Sequence, residues 1–307
     1  MEHLWGIDLG GTKVEGAVLD AKTFEVIART RIPTEKEHGY HHIIGQIKKL
    51  VSLLEEETGI TANTVGMGTP GSLDPLTGTL KNSNTTCLNG ERLFDQVKAA
   101  LGIPIIMAND ANCFALAEAR MGIVPEVYPD AKVVFGVILG TGVGGGVVIN
   151  NQIITGHHGI AGEWGHTFLD DSGGPCYCGD TGCTEQVISG PALESYYYKI
   201  SGRRASLKDI VLKYRDQSDS HAIQTIERLL HFFGKGLSNV INILDPDVVV
   251  LGGGVGNIEE LYTLGVASLE KHIFNNRFET IIAKPKLGDS AGVFGAAFLG
   301  EHPTANK

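Results

Sequence analysis

The sequence lacks the features that mark membrane, secreted or nucleic-acid-binding proteins. It contains no stretch of about 18 apolar residues that would form a transmembrane helix, and its first residues lack the basic segment and apolar run of a signal peptide. Lys and Arg form no local cluster, and the formal net charge of −10 argues against a groove for nucleic acid. The five cysteines are an odd number, which a reducing compartment tolerates. We therefore expect a cytoplasmic protein that contacts neither membranes nor nucleic acids.

The length of 307 residues, 42% of them hydrophobic, predicts two domains, because single hydrophobic cores stop growing at roughly 250 to 300 residues. No low-complexity linker separates two halves of the chain. We therefore expect the chain to cross between two lobes on structured elements, with a cleft at the crossing. Many of the 41 glycines fall in a few runs, as expected where a backbone approaches a ligand closely.

An internal repeat supports two related lobes. Residues 5–10 align with residues 135–140, and residues 16–19 align with residues 146–149. Each copy consists of an apolar β-rich run, a glycine-rich turn and a second β-rich run, a pattern that predicts a β-hairpin.

Hydrophobic periodicity predicts alternating helices and strands between and after the two copies. Such alternation is typical of α/β domains. The predicted helices cover residues 40–57, 91–101, 112–121, 221–244 and 292–299, and the predicted strands cover residues 65–67, 103–107 and 248–251.

A group of cysteines near the middle of the chain predicts a metal site. Three thiols and one imidazole suit a closed tetrahedral Zn²⁺ site, which is structural because it leaves no coordination position open. Such a site would clamp a short glycine-rich loop and orient three nearby side chains, Glu163, His166 and Glu185. A partly buried thiol cluster or a disulfide remains the alternative. The expected ligands are His166, Cys176, Cys178 and Cys183.

Two glycine-rich turns are candidates for phosphate binding. Gly140, Gly142 and Gly145 match the dinucleotide-binding spacing, but a strand follows them where that motif requires a helix. Residues 6–13 suggest a P-loop but lack its Gly-Lys-Ser/Thr ending. Backbone N–H groups in either turn can surround phosphate oxygens, and Asp8 is placed to hold a metal-bound water. Ordinary tight hairpins remain the alternative.

Taken together, these motifs resemble the ROK family of sugar kinases and repressors from end to end. The matching segments are residues 8–13, 68–71, 109–112, 140–146 and 163–166 with the cysteines that follow. The resemblance implies an α/β, two-lobed, actin-like (ribonuclease H-like) ATPase fold with duplicated domains and a structural zinc loop. It also implies a small lobe of residues 1–112 plus 288–303 and a large lobe of residues 113–287.

The resemblance makes Asp110 the general base, which takes a proton from a sugar hydroxyl as that hydroxyl attacks the γ-phosphate of ATP with Mg²⁺ present. A carboxylate that receives the proton late in phosphoryl transfer can act as the base with a nearly ordinary pKa. From the sequence alone, Asp110 is equally suited to be the N-cap of the following helix.

The resemblance also implies a hexose site and a nucleotide site. Each of these assignments has a structural alternative. Glu185 could be a solvated residue at the start of a helix, and Asn84 could cap a turn. The glycines after residue 252 could form a tight connection between a strand and a helix. One ring nitrogen of His166 is expected to bind zinc and the other a sugar hydroxyl. The expected sugar ligands are Gly71, Asn84, Asn109, Asp110, Glu163, His166 and Glu185, and the expected cofactor ligands are Asp8, Gly10, Gly11, Thr12, Lys13, Gly140, Thr141, Gly142, Gly144, Gly253 and Gly254.

Within the family, residues 81–90, 163–166 and 175–179 look most like bacterial fructokinases that also accept mannose. We therefore expect the protein to phosphorylate D-fructose at its 6-hydroxyl. The family resemblance also implies a homodimer. The alternatives are a glucokinase and an N-acetylglucosamine or N-acetylmannosamine kinase. A sugar-responsive repressor is the rival from another class, but Asp8 comes too early in the chain for a preceding DNA-binding module.

Overall fold

The computed structural model describes residues 2–301. Its strands follow the predicted pattern, and each predicted strand is present with ends shifted by no more than two residues. The strands are β1 (His3–Leu9), β2 (Lys13–Asp20), β3 (Val26–Pro33), β4 (Val65–Thr69), β5 (Ser72–Leu73), β6 (Leu80–Lys81), β7 (Ile105–Asn109), β8 (Val133–Leu139), β9 (Val143–Ile149), β10 (Gln152–Ile153), β11 (Val248–Gly252) and β12 (Ile281–Ala283).

The predicted helices are also present, and further helices occur from residue 124 onwards. In the part of the chain described, no helix has both the length and the hydropathy needed to cross a lipid bilayer. The helices are α1 (Tyr40–Thr58), α2 (Leu93–Leu101), α3 (Asp110–Arg120), α4 (Val124–Val127), α5 (Glu185–Ile188), α6 (Gly190–Ser201), α7 (Leu207–Arg215), α8 (Ser220–Leu244), α9 (Gly253–Gly256), α10 (Leu264–Glu270) and α11 (Ala291–Leu299).

The chain divides into two compact units. The first contains residues 2–122, 151–161 and 287–301, and the second contains residues 123–150 and 162–286. Helix α3, which we expected to open the larger lobe, therefore packs with the first unit. Residue 1 and residues 302 and 303, which the expected small lobe included, lie outside the described residues.

The sheet of the first unit has the strand order β3-β2-β1-β4-β7. Strands β1 and β2 form the predicted antiparallel hairpin, whereas β1, β4 and β7 are parallel. The register pairs Asp8 with Gly68 and Thr69 with Asn109. Since the carboxyl ends of parallel strands share one edge of a sheet, the segments after these three strands lie side by side.

The sheet of the second unit repeats this arrangement, with neighbouring strands in the order β9-β8-β11-β12. Strands β8 and β9 form an antiparallel hairpin in which Gly136 faces Gly146, whereas Gly6 faces Ala17 in the first hairpin, so the two registers differ by one residue. Strand β11 is parallel to both β8 and β12. The repeat is thus a duplicated sheet, and the expected actin-like α/β fold is confirmed.

Each unit has its own apolar core. In the first, the buried stripe of α1 packs on the sheet, and in the second the buried stripe of α8 does so. Fully buried members of these stripes recur at helical spacing, as the sequence pattern predicts. They include Ile43, Ile47, Leu50 and Leu54 in α1, and Ile226, Leu229, Phe233 and Leu237 in α8.

Helix α11 packs directly on the backbone of β1 and β4. A β-carbon at Gly66 would stand 1.8 Å from the carbonyl oxygen of Ala296, and one at Gly6 would stand 2.2 Å from that of Val293. Any side chain at either position therefore forces the helix away from the sheet.

We predict that Gly66→Ala lowers the free energy of unfolding by about 2 to 3 kcal/mol, because overpacking against a backbone carbonyl leaves only a shift of the helix as relief. The matched control is Gly45→Ala in α1, where a β-carbon would meet nothing within 4 Å. That change should stabilise the protein by about 0.5 to 1 kcal/mol through helix propensity. Urea unfolding measures both, and equal stabilities for the two variants would contradict this packing.

Candidate active site

The first phosphate-loop candidate is the turn between β1 and β2. The N–H of Gly10 donates to the carbonyl of Lys13 at 2.9 Å and closes the turn. Among the described residues, the N–H groups of Gly11 and Thr12 have no hydrogen-bond acceptor. The hydroxyl of Thr34 donates to the Gly10 carbonyl at 2.7 Å and its N–H to the Thr12 carbonyl at 2.9 Å. The turn is thus fixed from outside while two of its N–H groups stay available to an anion.

Asp8, which precedes this loop, lies among other acidic groups. Burial, then the charge of Asp110, then that of Glu15 raise the pKa of Asp8 to about 6. The space around it is tight, because a β-carbon at Gly292 would stand 2.8 Å from its Oδ2. A carboxylate held against like charges favours a bound cation or water that hydrogen-bonds to it.

Glu15 is the one member of this acidic group that the protein neutralises. It faces Asp8 across the β1–β2 hairpin, and its side chain is buried. The Nε of Arg31 lies 2.8 Å from its Oε2, and the hydroxyl of Ser290 donates to its Oε1 at 3.0 Å. Arg29 and Arg31 in turn donate to Ser290. This network ties β2 and β3 to the segment that precedes α11.

Asp110 is the first residue of α3, directly after β7. The N-cap is Asn109, whose Oδ1 accepts the N–H of Asn112 at 2.8 Å, so the alternative role of Asp110 as the cap is wrong. Asp110 instead accepts the N–H of Ala111 at 2.8 Å and stays open to solvent on one side. Although Asp110 is exposed on that side, the protein atoms packed around its carboxyl partly desolvate it and so raise its pKa, which differs from the nearly ordinary pKa that we expected.

Of the remaining sugar-site candidates of this unit, Asn84 lies on the loop after β6 and Gly71 lies between β4 and β5. The side chain of Asn89 clamps the loop by accepting the N–H of Ser83 at 2.8 Å and donating to the Ser83 carbonyl at 2.9 Å. Asn84 is exposed, and its Oδ1 accepts the hydroxyl of Thr85 at 3.5 Å. Gly71 has φ 120°, and a β-carbon there would stand 2.6 Å from the Lys81 carbonyl, so only glycine fits.

The second phosphate-loop candidate is the turn between β8 and β9. The N–H of Gly140 donates to the Gly142 carbonyl at 2.9 Å, and the N–H groups of Thr141 and Gly142 have no acceptor within the described chain. The Oε2 of Glu185 accepts the N–H of Val143 at 3.0 Å. Glu185 therefore holds this loop with one oxygen, a role that the sequence did not indicate.

Two further glycines border the same loop, as expected. Gly253 has φ 83°, and a β-carbon there would stand 2.2 Å from the Leu139 carbonyl. The N–H of Gly254 lies beside Gly140. The turn after β11 thus packs on the end of β8, which brings together the predicted nucleotide ligands of this unit.

The segment with Glu163 and His166 lies along β9. The indole Nε1 of Trp164 donates to the Gly144 carbonyl at 3.0 Å, and a β-carbon at Gly165 would stand 1.9 Å from the Val143 carbonyl. Strand β9 therefore fixes the backbone between these two candidate sugar ligands.

The four predicted metal ligands converge. Their ligand atoms all lie within 4.8 Å of one another. The Nδ1 of His166 is 3.5 Å from the Sγ of Cys176, and the Sγ atoms of Cys178 and Cys183 are 3.6 Å apart. Tetrahedral Zn²⁺ with ordinary Zn–S and Zn–N bonds separates its ligands by about 3.5 to 3.8 Å. The donor set and its spacing thus fit zinc, and no disulfide links these cysteines.

The other ring nitrogen of His166 differs from expectation. Its Nε2 lies 2.8 Å from the hydroxyl of Tyr177, so in this structure a tyrosine has the position expected for a sugar hydroxyl. Tyr177 is 71% exposed, which leaves it free to give way to a ligand. Glu185 follows Cys183 by two residues, and its carboxylate accepts the N–H of Val143 at the end of the second phosphate-loop candidate. A single short segment therefore links the cysteine cluster to that loop.

Comparison with known proteins agrees with this geometry. The ROK family model matches residues 4–302. The chain belongs to the ROK family. The prediction of a ROK family sugar kinase is confirmed at that level, whereas the fructokinase subgroup is not confirmed.

Three similar proteins illustrate the range of this ROK protein's relatives. An N-acetyl-D-glucosamine kinase of Aliivibrio fischeri is 36% identical over 305 residues, which cover 96% of this chain and 98% of the relative. A ROK hexokinase structure from Thermus thermophilus has a TM-score of 0.87 at 29% identity, covering 97% of this chain and 98% of that one. A ROK glucokinase from Streptomyces griseus in complex with glucose and AMPPNP has a TM-score of 0.75 at 27% identity, covering 97% and 99%.

We predict that Asp8→Asn stabilises the protein in the absence of divalent cations while removing its activity. The raised pKa of Asp8, about 6 against 3.8, means that the fold penalises the ionised form. Removing that charge should raise the free energy of unfolding at pH 7.5 by about 1 to 3 kcal/mol. The penalty grows between pH about 3.8 and about 6 and is complete above that range, so the gain should shrink towards zero as pH falls to about 4.

Urea unfolding of both proteins across this pH range, with a chelator present, measures the difference. Asp130→Asn, at an exposed loop position, is the control and should leave stability unchanged. A destabilised Asp8→Asn protein at pH 7.5 would contradict the picture of a carboxylate held against like charges.

We predict one zinc per chain, held by the cysteine cluster. Cys178→Ser or a strong chelator should release the metal, weaken sugar binding, and loosen the second phosphate loop through Glu185. Metal analysis and limited proteolysis between residues 170 and 185 measure these effects. Cys87→Ser, outside the cluster, is the control. Purified protein without stoichiometric zinc would contradict this assignment.

Proposed function

We propose that this ROK protein is an ATP-dependent hexose kinase that phosphorylates the 6-hydroxyl of N-acetyl-D-glucosamine. The proposed substrate rests on the similarity to N-acetyl-D-glucosamine kinases along almost the whole chain, at 36% identity for the Aliivibrio fischeri enzyme. This was the alternative to fructose in the sequence analysis, and it is better supported than fructose because several of the similar relatives have this activity.

The proposed reaction assigns one step to Asp110. The sugar O6 attacks the γ-phosphorus of ATP, the bond from that phosphorus to the bridging oxygen breaks, and ADP leaves with the electron pair. The O6 proton passes to the Asp110 carboxylate. Burial raises the pKa of Asp110, which makes its carboxylate a better proton acceptor. Because Asn109 already caps α3, Asp110 is not needed as the helix N-cap.

The two glycine turns are proposed to bind phosphate. Each presents N–H groups without an acceptor, at Gly11 and Thr12 in one unit and at Thr141 and Gly142 in the other. Such groups bind the oxygens of a polyphosphate, because glycine leaves the backbone accessible. Gly253 and Gly254 are proposed to border the nucleoside, with Gly10, Lys13, Gly140 and Gly144 completing the predicted set.

Asp8 is proposed to hold Mg²⁺, directly or through water. The like charges around it, from Asp110 and Glu15, fit a site completed by a cation. Mg²⁺ bound there supplies charge neutralisation on phosphate oxygens during transfer.

The proposed sugar ligands are the residues expected from the family resemblance, which besides Asp110 are Gly71, Asn84, Asn109, Glu163, His166 and Glu185. Asn84 is exposed at the tip of a clamped loop, so its amide is accessible and positioned. Glu185 retains a second carboxylate oxygen while its Oε2 holds Val143. The cysteine cluster with zinc bound would fix the ring of His166. A homodimer, expected from family resemblance, is part of the proposal and is measured by sedimentation.

The test is a substrate panel with ATP and Mg²⁺, following ADP formation with N-acetyl-D-glucosamine, N-acetyl-D-mannosamine, D-glucose, D-mannose and D-fructose. We expect the highest kcat/KM with N-acetyl-D-glucosamine. A preference for fructose would return the assignment to the fructokinase subgroup, and no sugar-dependent ADP formation with any hexose would overturn the kinase proposal.

Within this test, Asp110→Asn should lower kcat by about 10² to 10⁴, the usual contribution of a general base. Its stability and its affinity for the sugar should stay near those of the original protein, because the cap at Asn109 is retained. Asp130→Asn is again the matched control. Turnover retained in Asp110→Asn would remove Asp110 from the mechanism.

A further inference from the structure

The segment between β3 and α1, residues 33–39, lies against the first phosphate loop. Thr34 is fully buried and bonds to the loop twice, through its hydroxyl to Gly10 and its N–H to Thr12. The segment is therefore fixed relative to the loop, and side chains that follow Thr34 have defined positions beside it.

The next residue, Glu35, has an unusual backbone. Its φ of 51° and ψ of 49° are left-handed, a conformation that costs a residue with a side chain about 1 to 2 kcal/mol. Its carboxylate is held by His42, whose Nε2 lies 2.7 Å away, and by Gln46, which donates to it at 3.2 Å. Gln46 also donates to the Pro33 carbonyl at 2.7 Å. Side chains of α1 thus maintain a strained turn, which directs the following residue back to the loop.

That following residue is Lys36. Its Nζ lies 3.7 Å from the point where a β-carbon would stand on Gly11, and the Oγ1 of Thr85 lies 3.1 Å from the same point. An ammonium group and a hydroxyl group therefore share one side of Gly11, which has no side chain to fill the space between them. Within residues 2–301, Lys36 forms no ion pair.

This corner, defined by Gly11, Lys36 and Thr85, joins two proposed subsites. On one side are the loop N–H groups of Gly11 and Thr12. On the other is Asn84, a proposed sugar ligand, whose Oδ1 accepts the Thr85 hydroxyl at 3.5 Å. A phosphoryl group that moves from ATP to a sugar hydroxyl passes between such subsites, and its charge is spread over three oxygens during transfer.

We propose that Lys36 and Thr85 bind the oxygens of the transferred phosphoryl group, adding to the first glycine loop a cation and a hydroxyl that exchanges its 3.5 Å bond to Asn84 for a phosphoryl oxygen. The inference rests on the proposed kinase function and extends it to residues outside the glycine turns. An ammonium at this position offsets negative charge on the phosphoryl oxygens, both in the transition state and in the sugar 6-phosphate product. This proposal also explains the strained turn at Glu35, because the turn keeps the Lys36 ammonium beside the first glycine loop.

The test is Lys36→Met, with Lys49→Met as the matched control. Lys49 is also exposed and forms no ion pair within the described part of the chain, but it lies on α1, outside residues 33–39. For Lys36→Met we expect kcat to fall about 100-fold, as when one transition-state donor is lost, and the Kd of N-acetyl-D-glucosamine 6-phosphate to rise about tenfold. The Kd of N-acetyl-D-glucosamine itself should not change. Lys36→Arg, which keeps the charge, should recover most of the product affinity.

Three results overturn the inference. The first is a Lys36→Met protein with unchanged kcat and unchanged affinity for the sugar phosphate. The second is an equal loss of affinity for the sugar and its phosphate, which indicates general damage to the loop. The third is the same loss in Lys49→Met. If the original protein forms ADP with a hexose, these results reject only the role of Lys36, whereas an original protein with no hexose-dependent ADP formation rejects the proposed function itself.

Discussion

The crowding of carboxylates at one edge of the first sheet is the constraint on which the candidate site depends. Asp8 and Glu15 face each other across the β1–β2 hairpin, and Asp110 is close enough to raise the pKa of Asp8. The protein neutralises Glu15 with Arg31 and Ser290. Among the described residues, Asp8 and Asp110 receive no comparable ion pair, which suits the proposed binding of a cation by Asp8 and of a proton by Asp110. An arrangement that costs stability in this way is typical of a functional site.

The duplicated hairpin explains how one fold supplies two similar glycine turns, which are the proposed phosphate loops. In each unit a glycine turn connects paired strands and leaves two N–H groups without acceptors. The support differs between the copies. Thr34 fixes the first loop through two carbonyls, while Glu185 and the N–H of Gly190 hold the second. Because Glu185 follows the cysteine cluster closely, metal at that cluster would stabilise the second loop as well as the segment that holds His166.

Local patterns predicted the elements well, and tertiary contacts account for what they missed. The hairpins, α1 and α8 follow from periodicity and glycine placement, and the ends of both helices were predicted within one residue. The spacing of the four predicted metal ligands also identified the cysteine cluster. By contrast, the cap at Asn109, the bond from Glu185 to Val143 and the contact of His166 with Tyr177 join side chains to partners that no periodicity identifies. No sequence pattern indicated a role for Lys36, because its position depends on Glu35, a left-handed residue that α1 holds in place.

The most direct measurement of the central claim is phosphorus NMR of the products formed from ATP, Mg²⁺ and N-acetyl-D-glucosamine. The account predicts ADP and one phosphate ester in equal amounts, with the ester phosphorus coupled to the two protons on carbon 6 of the sugar. Formation of inorganic phosphate without a sugar ester, or an ester on a different sugar oxygen, would contradict it.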